Sequence, residues 1–340
     1  MITRRTLQSR ILLAATFATV SGCEGGDAIP DLTETQSAQA STVLLANNPG
    51  ANHVTSGDPG AAFFNGRHYL SFIGQDNFGM NNLIMEAIED VSPNNFGRYD
   101  ILFAAPGGDR SNSGASLAVF NNLLYEVFVG TDGQVNVLST ADGLNFGNRR
   151  IFSGSKHGLP GLAVYQGHLW IVVHEYDDRA VLFWENGTYV GTLNNARSND
   201  GFVIAELNGY LYLIWSSTKS NREINVQKYS PSTGWLPGRI LTQGGNPSVT
   251  TIPAANGMPE ALAMIMRCPS ICGPSDTANA WISFDGVTWN RQALNEADGW
   301  TPDKPIAFEG YWNPTTVTLN IAFTGTDHQL NLIERWPGIN

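Results

Sequence analysis

Two aspartates, Asp58 and Asp200, stand in loops that lead into apolar, strand-like segments. If these loops converge, the two carboxyl groups could act as general acid and general base in one reaction. An aspartate followed by Pro59 or Gly201 is also an ordinary turn residue, because its side chain accepts hydrogen bonds from nearby backbone amides. The pair therefore leaves two interpretations open, catalysis and turn formation.

Further candidate ligand contacts occupy the loop of Asp200 and the corresponding loops of the other repeats. They are Asp109, Arg110, His157, Asn199, Asn246, Trp300 and Asp303. Aromatic side chains stack on sugar rings, so Trp300 would suit a carbohydrate, whereas a single histidine or arginine in a loop can equally serve only the turn. The sequence contains no Gly-rich phosphate loop, no His-Glu-x-x-His motif and no Gly-x-Ser-x-Gly motif. We therefore predict neither a cofactor nor a metal site.

These loops punctuate a repeat that occurs six times. Each copy pairs two apolar segments around a turn with Gly or Asn, at positions 66, 122, 167, 209, 257 and 310. Several hairpins are followed by a third strand, as at 134–138 and 223–227, and by a fourth, as at 150–152 and 239–241. Four short strands in each unit of about 40–50 residues are typical of a β-propeller. We therefore predict an all-β, six-bladed β-propeller over residues 41–340, with a β-sandwich of the same hairpins as the structural alternative.

The last copy of the repeat ends after only three strands. Residues 41–49, STVLLANNP, are similar to residues 239–247, RILTQGGNP, which form a fourth strand and the segment after it. We therefore predict that a strand at about residues 42–46 pairs with the last blade and closes the ring, which removes an exposed sheet edge.

Two segments that follow third strands share a pattern of Ser, Asp, Gly and an aromatic residue. Residues 139–146 read STADGLNF, and residues 283–289 read SFDGVTW. Both resemble, in altered form, the Asp-box of sialidases and related propellers, where the box lies on the outer rim. The resemblance implies that Asp142 and Asp285 stabilise turns and take no part in a reaction.

The catalytic pattern of sialidases is not visible in this sequence. Arg67 stands near the place of the Arg-Ile-Pro element of that family but is followed by His68 and Tyr69. Asp58-Pro59-Gly60 instead resembles the segment that carries the nucleophile or base of five-bladed furanosidase and xylosidase propellers. This resemblance implies a catalytic role for Asp58, but the glutamate that those enzymes use as the acid has no recognisable counterpart.

Residues 1–22 are predicted to form a signal peptide. Three arginines precede a ten-residue, mostly apolar run, which is too short to span a bilayer but suits a signal sequence. The run ends in Val20-Ser21-Gly22-Cys23, which resembles the lipobox of bacterial lipoproteins and implies that Cys23 carries a lipid. Residues 23–40 are polar, so they predict the lipidated cysteine followed by a flexible tether. We expect an exported protein anchored in the cell envelope, in the outer membrane if the cell has one.

Charge and cysteine content limit the partners further. The net charge of −11 becomes −14 when residues 1–22, with three arginines and no acid, are removed. An acidic protein repels phosphate backbones, so we expect no nucleic-acid partner. Cys268 and Cys272 are the two cysteines left besides Cys23, and in an oxidising compartment such a close pair most simply forms a disulfide.

Three functions remain for such a propeller, which we expect to be a monomer. The sequence favours a non-catalytic module that binds a glycan or glycoconjugate. A glycoside hydrolase that uses Asp58 and Asp200, and a protein-interaction scaffold, are the alternatives, since a fold alone does not decide function. Two neighbouring carboxylates at the channel mouth would favour hydrolysis, an aromatic-floored cleft a lectin, and a wide flat face a scaffold.

Overall fold

The described part of the chain consists of β-strands, turns and loops. In the computed structural model the described residues are 41–44, 57–74, 83–90, 98–104, 109–152, 154, 156–254, 258–267, 278–292, 307–313, 318–324 and 330–336. Within these ranges, no helix has the length and apolarity that crossing a membrane requires. Several predictions concern residues outside the described ranges and therefore stay predictions. They are the signal peptide, the lipid on Cys23, the tether, and the disulfide between Cys268 and Cys272.

The described strands form six antiparallel sheets built mainly from consecutive hairpins. Numbered in chain order, they are β1 (Ser41–Leu44), β2 (Gly60–Phe64), β3 (Arg67–Gly74), β4 (Leu83–Asp90), β5 (Arg98–Ala104), β6 (Ser111–Phe120), β7 (Leu123–Gly130), β8 (Val135–Thr140), β9 (Gly147–Phe152), β10 (Lys156–Tyr165), β11 (His168–Glu175), β12 (Arg179–Trp184), β13 (Tyr189–Arg197), β14 (Phe202–Leu207), β15 (Tyr210–Ser216), β16 (Glu223–Ser230), β17 (Gly234–Trp235), β18 (Arg239–Gln243), β19 (Gly245–Ile252), β20 (Ala261–Arg267), β21 (Ala278–Ser283), β22 (Asn290–Gln292), β23 (Ala307–Asn313), β24 (Thr318–Thr324) and β25 (Leu330–Trp336). The sheet orders are β2-β3-β4-β5, β6-β7-β8-β9, β10-β11-β12-β13, β14-β15-β16-β17 with β18 also paired to β16, β19-β20-β21-β22, and β1-β25-β24-β23.

Strand β1 brings the two ends of the described chain together. It pairs antiparallel with β25, with Thr42 opposite Ile333 and Leu44 opposite Asn331. The strand predicted at about residues 42–46 thus overlaps β1, which lies at one edge of the last sheet. The third and fourth strands predicted in the second and fourth repeats correspond to β8, β9, β16 and β18.

The first strand of each sheet lies against the first strand of the next. β2 contacts β6, β6 contacts β10, β10 contacts β14, β14 contacts β19, β19 contacts β23, and β23 contacts β2. Sheets arranged side by side about their first strands make this protein an all-β propeller. A β-sandwich would instead pack two sheets face to face, so that alternative is wrong.

Side-chain hydroxyl groups bridge the junctions between neighbouring sheets. Each donates a hydrogen bond to a backbone carbonyl of the adjoining repeat: Ser71 to Ala115 at 2.5 Å, Ser116 to Pro160 at 2.5 Å, Tyr165 to Gly209 at 3.1 Å, Thr251 to Glu206 at 2.6 Å, and Thr324 to Gly57 at 3.0 Å. These bonds satisfy polar groups that would otherwise be buried without a partner where the sheets converge.

Four of the predicted hairpin turns have the backbone conformation of a tight connection. Both central residues have positive φ at 65–66, 121–122, 166–167 and 208–209, as in a type I′ turn. Asn and Gly tolerate this left-handed region best, and they fill seven of these eight positions. Local sequence therefore determines these turns. The turn predicted at position 257 lies outside the described residues.

The turn predicted at position 310 is wrong. Gly310 lies within β23, opposite Ile321 of β24, and the chain reverses only after Asn313. The Gly310 amide donates to the Ser248 hydroxyl at 3.1 Å, and a Cβ on Gly310 would lie 3.3 Å from Ile265 Cδ1. The glycine thus permits a close approach of the neighbouring sheet, and it does not form a hairpin turn.

The turns at Asp142 and Asp285 share one construction. Asp142 Oδ1 accepts hydrogen bonds from the amides of Leu144 and Asn145, at 2.8 and 2.9 Å. Asp285 Oδ1 accepts from the amides two and three residues further on, at 2.7 and 2.6 Å. Both aspartates are exposed, so these carboxylates are occupied by their own turns, as a stabilising role requires.

The glycine of each of these turns packs under a tyrosine of the preceding sheet. Gly143 and Gly286 have φ of 75° and 67°. A Cβ on Gly143 would overlap the Tyr69 ring, and a Cβ on Gly286 would overlap the Tyr212 ring. These positions therefore require glycine for two reasons, the left-handed backbone and the close contact with an aromatic ring.

This double requirement predicts a difference between two glycine substitutions. Gly209 has a φ of 77°, but a Cβ there would meet nothing within 4 Å. We expect Gly209→Ala to lower the free energy of unfolding by about 1–2 kcal/mol through backbone strain. Gly286→Ala should cost about 1–3 kcal/mol more, because it also overpacks the contact with Tyr212. Urea denaturation of both variants tests this, and equal losses would contradict it.

Candidate functional site

A pocket lies where the first strands of the six sheets meet, and every sheet contributes to its wall. We call it the axial pocket. It is lined by Asp58 before β2, Ser116 and Leu117 of β6, Leu159–Leu162 of β10, Asp200–Ile204 at the start of β14, Asn246–Val249 of β19, and Glu309 of β23. Three carboxyl groups, those of Asp58, Asp200 and Glu309, thus share a wall that is otherwise largely apolar.

Asp58 reaches the axial pocket from the loop before β2. Its backbone amide donates to the Ser113 carbonyl at 3.2 Å, and a Cβ on Gly114 would overlap the Asp58 carbonyl, so the two loops lie in close contact. Burial, together with the negative charge of Asp200, raises the pKa of Asp58 to about 7, against the opposing charge of Arg267. At neutral pH this carboxyl is therefore divided between its protonated and ionised forms.

Glu309 reaches the same pocket from the middle of β23. Its Oε2 accepts a hydrogen bond from the Ser248 hydroxyl at 2.9 Å, and that hydroxyl oxygen accepts one from the Gly310 amide at 3.1 Å. Burial raises the pKa of Glu309 to about 8, opposed by the Ser248 hydrogen bond and assisted by the charge of Asp58. The Glu309 carboxyl therefore keeps its proton at neutral pH.

Asp200 is held by several donors that act on one oxygen. Its Oδ2 accepts hydrogen bonds from the Ser216 hydroxyl at 2.5 Å and from the Asn246 amide at 3.3 Å. Arg222 Nη1 lies 3.7 Å from the same oxygen. These contacts fix the position of the carboxylate at the pocket wall and place a cation beside it.

The three acids therefore meet different environments within one pocket. Burial dominates at Asp58 and Glu309, whereas hydroxyl, amide and guanidinium groups surround Asp200. When neighbouring carboxyl groups have different pKa values, one can donate a proton while another accepts one at the same site. Such a set can protonate a leaving group while a second carboxylate assists the attack of water.

The axial pocket brings together three of the residues that the sequence singled out. Asp58, Asp200 and Asn246 all line it, and Asn246 contributes through its backbone amide. Their positions in the repeat account for this meeting, since each precedes or begins the first strand of its sheet.

Three other candidates from the same loops lie away from the pocket lining. Asp109 pairs with Arg149 of β9, whose Nη1 is 2.8 Å from Asp109 Oδ1. Arg110 and Asn199 are exposed, and neither lines the pocket. A role for these three residues as ligand contacts stays a prediction.

Of the three remaining candidates from the sequence, only His157 belongs to the described residues. His157 also lies away from the pocket lining, beside His174 and Asp178. Trp300 and Asp303 lie outside the described residues, so their place near the ligand stays a prediction.

Glu309 is the pocket acid that sequence reasoning missed. Position 310 reads as a hairpin turn, which assigns the preceding glutamate to a solvent-exposed loop. The useful signal is the apolar run that surrounds it, Pro305-Ile306-Ala307-Phe308 before it and Tyr311-Trp312 after Gly310. A single acid within an apolar strand is costly to bury, which makes such a residue a candidate for function.

Solved structures that are similar to this chain support the propeller fold. A Penicillium chrysogenum α-L-arabinanase complexed with arabinobiose has a TM-score of 0.59 and 11% identity, over 88% of this chain and 98% of that chain. A mutant Fusarium graminearum α-L-arabinofuranosidase in complex with an iminosugar inhibitor has a TM-score of 0.59 and 9% identity, over 88% and 98%. The SapL1 lectin in complex with α-methyl fucoside has a TM-score of 0.56 and 12% identity, over 79% and 89%. No protein-family model matches the sequence, and no curated protein matches it.

The raised pKa of Glu309 predicts how stability depends on pH. A carboxyl whose pKa is higher in the folded protein than in the unfolded chain favours folding at low pH, and it loses this contribution as pH rises through the folded value. We therefore expect the unfolding temperature to fall between pH 4.5, the ordinary pKa, and the folded value of about 8. Glu309→Gln, which mimics the protonated acid, should reduce this fall in thermal unfolding followed by circular dichroism.

Asp132→Asn is the matched control for this experiment. Asp132 occupies an exposed turn, where its Oδ1 accepts a hydrogen bond from the Gln134 amide at 3.0 Å, and it does not line the pocket. This variant should keep the wild-type dependence of unfolding temperature on pH. A Glu309→Gln profile that parallels the wild-type profile would contradict the prediction.

Proposed function

We propose that this protein is a glycoside hydrolase and that its reaction takes place in the axial pocket. The observation that carries the proposal is the grouping of Asp58, Asp200 and Glu309 in one pocket, with burial raising the pKa of two of them. A protonated acid and an ionised carboxylate at neutral pH are the pair that hydrolysis of a glycosidic bond requires. The likeness to an arabinanase and an arabinofuranosidase makes arabinofuranosyl linkages the first to test.

The environments of the three acids suggest their separate roles. Glu309 is the proton donor, because it holds its proton at neutral pH and the Ser248 hydroxyl orients it. Asp58 is the general base, because a pKa of about 7 suits a group that must accept a proton near neutral pH. Asp200 is a positioning residue whose fixed negative charge raises the pKa of Asp58.

Replacement of the proton donor should abolish most of the activity. We expect Glu309→Gln to lower kcat by about 10²–10⁴-fold on substrates with poor leaving groups, the usual contribution of general acid catalysis. Release of reducing sugar should be measured on a panel of arabinans, arabinofuranosides, galactans and fucosides. Asp132→Asn is the control and should keep the wild-type kcat, because Asp132 occupies an exposed turn and does not line the pocket.

Asp200→Asn tests the role of the positioning charge through the pH profile. Loss of the negative charge should lower the pKa of Asp58 and so move the corresponding limb of the pH–rate profile to lower pH. Full wild-type kcat in Glu309→Gln on every cleaved substrate, or an unmoved limb in Asp200→Asn, would contradict the assigned roles.

A non-catalytic carbohydrate-binding module is the second candidate function. The likeness to the SapL1 lectin supports it, and Tyr176 and Tyr189, which are 86% and 59% exposed, offer aromatic faces for a sugar on the third sheet. Glycan-array binding without release of sugar by the wild-type protein would favour this function. Neither binding nor release would favour a protein-interaction scaffold.

We also propose that the six sheets are the six blades of one closed ring. The order of contacts between first strands, which leads from the first sheet to the last and back through β23 and β2, supports this arrangement. The pairing of β1 with β25 supports the role of residues 41–44 in completing the last blade. Closure of this kind would leave no unpaired chain end between the first and last blades.

For the cell, we propose export and anchorage through a lipid on Cys23. The signal-like residues 1–22 and the polar residues 23–40 support a domain held away from a membrane by a tether. The chain carries a negative net charge, which anionic lipids repel, so electrostatic attraction would not replace the lipid anchor.

Substitution of the proposed anchor should release the protein from the membrane. We expect Cys23→Ser to abolish incorporation of a labelled fatty acid and to move the protein from the membrane fraction to the soluble fraction. Replacement of a serine close by in the tether, Ser37→Ala, should leave both properties unchanged. Labelling that persists in Cys23→Ser would show that the lipid is carried elsewhere or that the tether holds another anchor.

A further inference from the structure

A compact group of nitrogen and oxygen ligands lies on the third sheet, away from the axial pocket lining. It consists of His157 in β10, His174 in β11 and Asp178 in the turn that leads to β12. His157 and His174 stand directly opposite each other in the strand register, which brings their rings together. One ligand atom from each of the three residues lies within 4.8 Å of the other two.

Two of the three distances between these atoms are close to those between ligands of a small divalent cation. His174 Nδ1 lies 3.3 Å from His157 Nε2, and His157 Nε2 lies 3.5 Å from Asp178 Oδ1. Two ligands that are each 2.0–2.1 Å from a tetrahedral zinc ion are about 3.3–3.4 Å apart. A zinc ion could therefore be accommodated with small adjustments of the exposed side chains.

The burial of the three residues suits a site that is fixed on one side and open on the other. His174 is 1% exposed and its ring packs against Phe202 at a centroid distance of 4.7 Å, so its position is set by the core. The His157 and Asp178 side chains are 46% and 42% exposed. A cation can therefore reach the site from solvent, and a further position remains open for water.

Asp178 differs from the other acids of the same turn in what it faces. Glu175 contacts Lys156 and Arg179, at 3.1 and 3.2 Å, and Asp177 pairs with Arg179 at 2.6 Å. The carboxylate of Asp178 instead faces His157. One acid of this turn is thus directed at imidazole nitrogens while its neighbours neutralise cationic side chains.

We propose that His157, His174 and Asp178 form a zinc-binding site on the third sheet. Two imidazoles and one carboxylate are a ligand set that zinc accepts, whereas Ca²⁺ and Mg²⁺ prefer sites made entirely of oxygen.

The site lies close to one side of the axial pocket. His174 Nε2 is 4.0 Å from the position of a Cβ on Gly201, and Gly201 lines the pocket next to Asp200. The existence of the zinc site does not depend on the proposed hydrolase activity.

Zinc binding to the chelator-treated full chain tests this proposal. We expect isothermal titration with Zn²⁺ alone to show one equivalent bound, and we expect Zn²⁺ to raise the unfolding temperature. His157→Ala and Asp178→Asn change exposed side chains, so they should fold, and each should weaken Zn²⁺ binding by more than about tenfold. Ca²⁺ in place of Zn²⁺ should produce neither effect.

Two matched variants separate this site from incidental binding at surface residues. Asp177→Asn removes a neighbouring carboxylate that pairs with Arg179, and His168→Gln removes a histidine that stacks on Trp184 at a centroid distance of 4.0 Å. Both should keep wild-type affinity for Zn²⁺. Unchanged affinity in His157→Ala, less than one equivalent bound by the wild type, or an equal response to Ca²⁺ would overturn the proposal.

Discussion

The close approach of the first strands around the axis is the constraint on which the rest of the structure depends. Among the described residues, neighbouring sheets are joined by side chains and not by a continuous backbone ladder. Hydroxyl groups such as that of Ser71, 2.5 Å from the Ala115 carbonyl, satisfy the polar groups at these junctions. Small residues are needed there as well, since a Cβ on Gly60 would overlap the same carbonyl. The pocket occupies the space that remains between the first strands.

The same constraint sets the electrostatics of the pocket. Converging sheets exclude water, so a carboxyl group at the axis loses hydration and its pKa rises. Glu309 meets one hydroxyl donor and keeps its proton, whereas Asp200 meets a hydroxyl, an amide and a nearby guanidinium. The hydrogen-bond donors around these two acids therefore differ from sheet to sheet. Ser248 donates to Glu309, and Ser216 donates to Asp200. Substitution of either serine would change the surroundings of its acid without removing the carboxyl group.

Features that depend on local interactions could be predicted from the sequence, whereas features that depend on contacts between distant residues could not. Asn-Gly turns depend on local backbone preference, so the hairpins around 65–66 and 208–209 could be read directly. The repeat also placed Asp58 and Asp200 at equivalent ends of first strands, which explains why both line the pocket. Gly310 was misread because its role depends on packing across a sheet junction, a long-range contact with no local signature. The pairing of His157 with His174 likewise required a strand register that composition does not reveal.

The chemistry of the axis discriminates between functions better than the fold does. Fold similarity is nearly equal for an arabinanase and a lectin, with TM-scores of 0.59 and 0.56, so architecture favours neither function. A buried acid, by contrast, destabilises the fold at every pH where it must ionise. Glutamine at position 309 would keep the hydrogen bond from Ser248 without that penalty, and it would serve a purely structural or sugar-binding pocket equally well. Proton transfer is a task that glutamine cannot perform, and this difference is the reason for our proposal of hydrolysis over binding alone.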